Sequence, residues 1–185
     1  MKKILLVVGT ALALAGCGEK GDFEKAINEQ ISKDAVCYGF SSKESNNSAF
    51  ERFNNKAVVR VNIRSGGEDP ILTGLKNTGL LDISYEQEMF KQVAVLSATA
   101  KGRKAKFWDS DNGACVGHRV VAEVTNWTEP SEGNGAKITQ VTYTWKLDGV
   151  PGWVDKNAFS GVKGMAEPEE AKIVLVKTNN GWSAR

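Results

Sequence analysis

The sequence predicts an α+β protein, helix and strand mixed in its first half and a mostly antiparallel β part after it. Three observations carry this. Phe23, Ala26, Ile27 and Ile31 recur at the three- and four-residue spacing of an amphipathic helix. Residues 137–147 alternate: Thr139, Val141, Tyr143, Trp145 and Leu147 share one face, and Gln140, Thr142, Thr144 and Lys146 the other, as in a half-buried strand. Turn signals punctuate the second half at Ser131-Glu132-Gly133-Asn134-Gly135, Val150-Pro151-Gly152 and Asn179-Asn180-Gly181.

The chain opens on a short basic region, Lys2-Lys3, and an apolar run from Ile4 to Leu14. That run is about eleven residues, within the ~7–15 of a secretory leader and short of the ~20 that span a bilayer. It closes on Leu14-Ala15-Gly16-Cys17, which resembles the lipobox of bacterial lipoproteins. The resemblance implies a diacylglycerol thioether on Cys17, cleavage just before it, and acylation (palmitate) of the new amino terminus. The membrane would then be this chain's partner through Cys17, because two or three acyl chains anchor stably where one does not. Gly18 follows the cysteine. In enteric-type sorting an aspartate there retains lipoproteins at the inner membrane, so the resemblance favours the periplasmic face of the outer membrane. The competing readings are an ordinary leader with a chance cysteine after the cut, and a transmembrane helix, for which the run is too short.

Removing residues 1–16 from the 185 leaves 169, enough for one large domain or two small ones. An apolar fraction of 41% and five tryptophans supply a core, which excludes wholesale disorder. The chain has 24 basic and 22 acidic residues, and two of the bases lie in the leader. A mature charge near zero and an exported compartment argue against a nucleic-acid partner. Besides Cys17 there are two cysteines, Cys37 and Cys115, 78 positions apart. An even pair in an oxidising envelope reads as a disulfide, against the alternative of two free thiols.

Residues 17–21 read as a short lipidated tether, and Asp22 as the N-cap of a helix reaching about Lys33. Residues 41–55 are Ser- and Asn-rich and read as a loop. Lys56–Ile63 reads as a strand, and Ser65–Pro70 as a turn and helix start, Pro70 suiting the first turn. That helix carries Ile71, Leu72 and Leu75 and stops at Gly79. Strands follow at about 80–90 and 92–97, then the basic segment Thr99–Lys104. This order, with Gly79-Leu80-Leu81 after the helix and Leu96-Ser97-Ala98-Thr99-Ala100-Lys101-Gly102-Arg103-Lys104 after the hairpin, resembles a winged helix. The DNA-reading role of that family does not transfer to an exported body whose corresponding helix offers one lysine, Lys76. Lys101, Arg103, Lys104 and Lys106 read either as a solvated strand face or as a contact for anionic head groups and lipopolysaccharide phosphates.

In the second half, Arg119–Trp127 and Lys137–Leu147 read as a long hairpin, 150–164 as a loop or short helix, and Ala171–Thr178 as a strand. Asn180-Gly181 suits a type I′ turn into a short last strand from Trp182. The layout resembles cystatin-like or nuclear-transport-factor-like α+β sheets. The fragments Ala114-Cys115-Val116-Gly117, Val141-Thr142-Tyr143-Thr144-Trp145-Lys146-Leu147 and Val176-Lys177-Thr178-Asn179-Asn180-Gly181-Trp182 resemble a group of uncharacterised proteobacterial envelope lipoproteins, which implies architecture only. The expected organisation is a signal peptide at 1–16, the tether at 17–21, an α+β winged-helix-like subdomain at 22–106 and an antiparallel β subdomain at 107–185.

Catalytic chemistry finds little to stand on. A nucleophile needs a base in hydrogen-bond reach, and the one histidine, His118, adjoins a cysteine expected in a disulfide. One histidine does not anchor a zinc site. Glu86/Glu88 and Asp109/Asp111 could pair on a strand face as glycosidase acids do, but exposed acids are the simpler reading. Asp109-Ser110-Asp111-Asn112-Gly113 approximates a calcium loop, yet its glycine stands fifth and Val120 occupies the twelfth position, where a glutamate belongs. Trp153, between Pro151-Gly152 and Val154-Asp155, is the tryptophan placed for an exposed partner contact. The sequence therefore points to a non-catalytic envelope binding or interaction module with no cofactor, no metal and an unspecified protein or glycan partner. A glycan-acting enzyme and an inhibitor of a hydrolase are the alternatives.

Overall fold

The computed structural model describes residues 15–38, 59–63, 69–88, 91–108, 113–133 and 135–185. Its elements are α1 (Ala15–Ile31), β1 (Ala35–Tyr38), β2 (Val59–Ile63), α2 (Pro70–Asn77), β3 (Leu81–Glu88), β4 (Lys91–Ala98), α3 (Ala100–Ala105), β5 (Ala114–Trp127), β6 (Ser131–Gly133), β7 (Ala136–Asp148), β8 (Glu169–Thr178) and β9 (Gly181–Ala184). The protein is α+β and its strands pair antiparallel. One sheet runs β1-β5-β7-β8-β9, with β6 also on β7; a second, three-stranded, runs β2-β4-β3.

The large sheet is curled, and β5 shows how. Val121 pairs with Trp145, Val124 with Tyr143 and Trp127 with Val141, so six steps along β5 match four along β7. Ala122 and Thr125 are the extra residues of two successive bulges, each adding bend and twist. The inward side chains of β5 therefore recur every third residue. Val121, Val124 and Trp127 all face α1, although plain alternation would turn Val124 away. Into this trough α1 lays Phe23, Ala26, Ile27 and Ile31, each buried, against Val121, Val124, Val141, Tyr143 and Leu175. Phe23 meets Trp127 and Trp182 edge-on at 5.6 and 5.2 Å.

The predicted stripe is thus the core stripe, but the helix starts earlier than expected. Asp22 is not an N-cap: α1 already runs from Ala15, and residues 17–21, read as a tether, are helical. With a turn of helix ahead of them, the amides after Asp22 need no cap.

A second core lies beyond α1. Ile71, Leu72 and Leu75 of α2 pack with Leu80, Leu81, Ala94, Leu96 and Ala98, with Ala114, Val116 and Leu147 of the large sheet, and with Phe107 and Phe159. Asp69 caps α2, its carboxylate accepting from the amides of Ile71 at 2.8 Å and Leu72 at 3.4 Å, and Pro70 occupies the first turn as expected. At the other end Gly79, with φ 72°, lets its own amide reach the Lys76 carbonyl and that of Leu80 reach Leu75. This is a Schellman stop. The segment read as a solvated strand face, Thr99–Lys104, is instead α3 with its cap. The Thr99 hydroxyl accepts from the Gly102 amide and donates to the Gly79 carbonyl. Lys101 donates to the Thr78 carbonyl and Arg103 to that of Ala98.

The last hairpin forms with a different turn. Thr178 pairs with Gly181, so Asn179 and Asn180 make the loop. Neither has the positive φ that a type I′ turn demands. The Thr178 hydroxyl holds this turn, donating to the Gly181 carbonyl and accepting from the Asn180 amide. Residues 39–58, covering the Ser/Asn-rich stretch, lie outside the described residues, as do Ser65–Gly67.

A Cβ at Gly102 would collide with the Leu80 carbonyl oxygen, which is fixed backbone. We expect Gly102→Ala to cost about 1–3 kcal/mol, read as a lowered urea midpoint, because the α2–α3 joint must open to admit the methyl.

Candidate functional site

The chemistry-bearing groups gather at two places, a joint on β1 and an aromatic loop next to it. At the joint, Cys37 of β1 stands opposite Cys115 of β5 in strand register and is bonded to it. Next along β1, the Tyr38 hydroxyl donates to the Asp69 carboxylate, the same group that caps α2. One four-residue strand is thus tied covalently to the large sheet and by a charge-assisted hydrogen bond to α2. Burial first, then the bond to Asp69 and its charge, push the Tyr38 phenol far above the usual tyrosine range. Burial also raises Tyr143, opposed by the Arg119 guanidinium nearby. Arg119 lies over the Trp145 ring, 5.7 Å from its centre.

The aromatic loop is 151–166. Trp153 is half-buried, its ring edge-on to Phe107 and to Phe159, 6.0 Å from each. Its body packs on the second core and part of it meets solvent, so it is not the fully exposed loop tryptophan that its setting suggested. Asp155 turns the chain by accepting from the amides of Asn157 and Ala158. A Cβ at Gly164, whose φ is 75°, would run into the Trp145 ring. Beyond it lies an open depression of about 210 Å³, lined by Ser160, Val162, Lys163, Gly164, Glu167 and Glu169 among others.

The remaining candidates fall apart spatially or chemically. His118, half-exposed, has Nε2 3.9 Å from an Asp148 carboxylate oxygen, its partner in register, and packs on Gly149. Its neighbour Cys115 is held in the disulfide. Glu86 is exposed on β3, and Asp109 and Asp111 lie outside the described residues, as does most of the approximate calcium loop. Among the described residues no three His, Cys, Asp or Glu side chains gather where they could hold a metal. In the basic cluster Lys101 and Arg103 are spent on backbone carbonyls, while Lys104 and Lys106 are exposed. Cys17 is the third residue of α1.

The Tyr38–Asp69 bond is the feature that residue-by-residue reading missed. The Asp69-Pro70 pair before an apolar helix signals a cap, but nothing in the spacing brings Tyr38 to it across 31 positions.

No protein-family model matches the chain, and neither a curated protein nor a solved structure matches it.

Two outcomes follow for the joint. Replacing Cys37 and Cys115 together by alanine should lower stability by on the order of 4 kcal/mol in urea, since the bond closes a 78-residue loop. Non-reducing peptide mapping of the parent should return the two cysteines in one linked pair. Tyr38 gives a pH signature. Its folded pKa is raised, so its contribution is complete below the unfolded value of about 10 and is lost as pH rises above it. The wild type should therefore lose more stability than Tyr38→Phe between neutral and strongly alkaline pH. Equal losses, measured by urea melts across that range, would refute the bond.

Proposed function

We propose that this chain is a bacterial envelope lipoprotein, cleaved before Cys17, lipidated there and held at the periplasmic face of the outer membrane. Its folded body acts as a non-catalytic binding or interaction module for an envelope protein or glycan. The observation that carries the reading is the leader: basic start, apolar run of lipoprotein length, and Leu14-Ala15-Gly16-Cys17 at its end. Two features of the body support it. The disulfide suits an oxidising compartment. Cys17 leads without a linker into α1, whose next turns are part of the core.

In this reading the layout is winged-helix-like over β2-α2-β3-β4 and cystatin-like where α1 lies in the curled sheet. α1 and β1, although they fall within the expected 22–106 part, belong with the large sheet, so the parts do not follow a division at residue 106. The partner surface is the 151–166 loop, with the solvent edge of Trp153 and, further along the loop, the depression lined by Ser160 to Glu169, which is concave, part apolar and part charged. A non-catalytic role is favoured because the nucleophile and base nearest each other in sequence, Cys115 and His118, are committed to a disulfide and to the Asp148 side.

Palmitate should label the wild-type chain in growing cells. Cys17→Ala should lose the label and leave the membrane fraction. Labelling that survives Cys17→Ala would overturn the anchor. The module reading is checked separately by incubating purified mature domain with cell-wall material: turnover that disappears in His118→Ala would replace it with an enzyme.

A further inference from the structure

We infer that the sheet end bearing the β5–β7 tip and the β8–β9 turn faces the lipid surface, and that α1 fixes this orientation as a rigid bracket. The inference rests on the anchor reading above and adds to it which surface meets the membrane.

The geometry is set by three contacts of α1. Near its C-terminal end, the Asn28 side-chain oxygen accepts from the Val121 amide at 2.8 Å. One and a half turns earlier, Phe23 is wedged between Trp127, the last residue of β5, and Trp182 of β9. A further turn back, Lys20 pairs with Glu123 at 3.2 Å. The pair is exposed and weak, but it engages the helix ahead of its buried part. From Asn28 at Val121 to Phe23 at Trp127 the helix runs against the direction of β5, while the Lys20 side chain reaches back along the strand to Glu123. Its N-terminal turns leave the body beside the end of β5 and the start of β9.

Strand register places both hairpin tips at that same end. Val141 pairs with Trp127 and Ile138 with Val176, so the β5–β7 tip and the Asn179–Asn180 turn stand side by side. The opposite end carries the disulfide, α2 and the 151–166 loop. With β7 at 13 residues, the two ends are roughly 40 Å apart at about 3.3 Å per residue, less what the curl removes.

Cys17 is six residues before Phe23. As helix this is only about 9 Å at 1.5 Å per residue. An extended tether of the same residues would reach about 20 Å and leave the body free to tumble. The lipidated end therefore holds the tips against the head groups and turns Trp153 towards the periplasm. Charges at the tips are mixed (Glu129, Glu132, Lys137, Lys177), so the facing is imposed by the bracket, not by attraction to anionic lipid.

The test uses the full lipidated protein in vesicles of phosphatidylethanolamine and phosphatidylglycerol containing a nitroxide-headgroup lipid. A fluorophore is placed on Asn180→Cys at the tip or on Lys156→Cys in the distal loop. Fluorescence should be lost at 180 and retained at 156. Inserting six Gly/Ser residues between Gly21 and Asp22 should abolish the difference. Equal quenching at both sites, or a difference that survives the insertion, overturns the inference while the anchor stands. Absence of the lipid mass on Cys17 overturns the anchor itself, a separate readout.

Discussion

The rest of the structure depends on the two bulges of β5. Without them Val124 would point to the solvent face of the sheet and the trough would be too shallow for a helix. With them, inward residues fall at every third position, the strand wraps, and Phe23 reaches both Trp127 and Trp182 across a sheet four strands wide at that point. The neighbouring contacts compensate for what the bulges disturb. Thr125 bonds its hydroxyl to the Thr142 carbonyl, and the Asn126 side chain accepts from the Trp127 amide. Beyond the tip the one fully buried polar residue among those described, Thr139, donates to the Thr128 carbonyl, while the Thr128 hydroxyl accepts from the Gln140 amide. Asn28 of α1 performs the same service from outside. It occupies the Val121 amide on the side of β5 that β1 no longer covers.

The curl also decides how the second core is attached. Leu147 and Trp145 lie on the same face as Val141 and Tyr143, further along β7, where α1 has ended. That stretch is covered by Phe159, Val162 and Gly164 of the 151–166 loop and, beyond them, by α2. The two cores therefore share β7, and Trp145 contributes to both. The small sheet is held to the large one by apolar packing along α2 and by the β1 joint. Asp69 is the hinge-pin of that joint because one carboxylate serves three donors: two α2 amides and the Tyr38 hydroxyl. Desolvating a carboxylate is tolerable when its lone pairs are so filled.

What could be read from the sequence divides along physical lines. Periodic features were legible: the Phe23/Ala26/Ile27/Ile31 stripe, the Thr139–Leu147 face, the helix opened by Pro70 and closed at Gly79. Each follows from local spacing that tertiary contacts merely used. Features that come from one strand's relation to another were not. A bulge leaves no mark in single-sequence alternation beyond a strand that looks irregular, as Arg119–Trp127 does. Asn180-Gly181 carries the signature of a type I′ turn, yet the Thr178 hydroxyl and the register with β9 shift the loop back by one residue. The basic run after Thr99 reads as a charged strand because Lys101 seeks a carbonyl at the end of α2 and Arg103 one at the end of β4, targets no linear pattern reveals. Asp22 carried a cap signature that the helix ahead of it made redundant.

The same helix that anchors the proposed lipid carries the first core, and this links position to stability. A lipoprotein with a long polar tether can unfold without disturbing its anchor, and its anchor tells nothing of its facing. Here Phe23, wholly buried between two tryptophans, is six residues from Cys17. Pulling α1 out to free the tether would expose Phe23, Ile27 and Ile31 together, at about 1.5–3 kcal/mol for each large side chain. That cost is comparable with the whole stability of a typical domain. On the proposed anchor, the folded state specifies one orientation as a by-product of packing. The end of the sheet opposite the tips carries the 151–166 loop, which is turns rather than helix, with Trp153 half-buried and charged Lys163, Glu167 and Glu169 rimming an open hollow. On the proposed anchor, that mixed-polarity surface, together with α2 and the small sheet, is what the body presents away from the lipid.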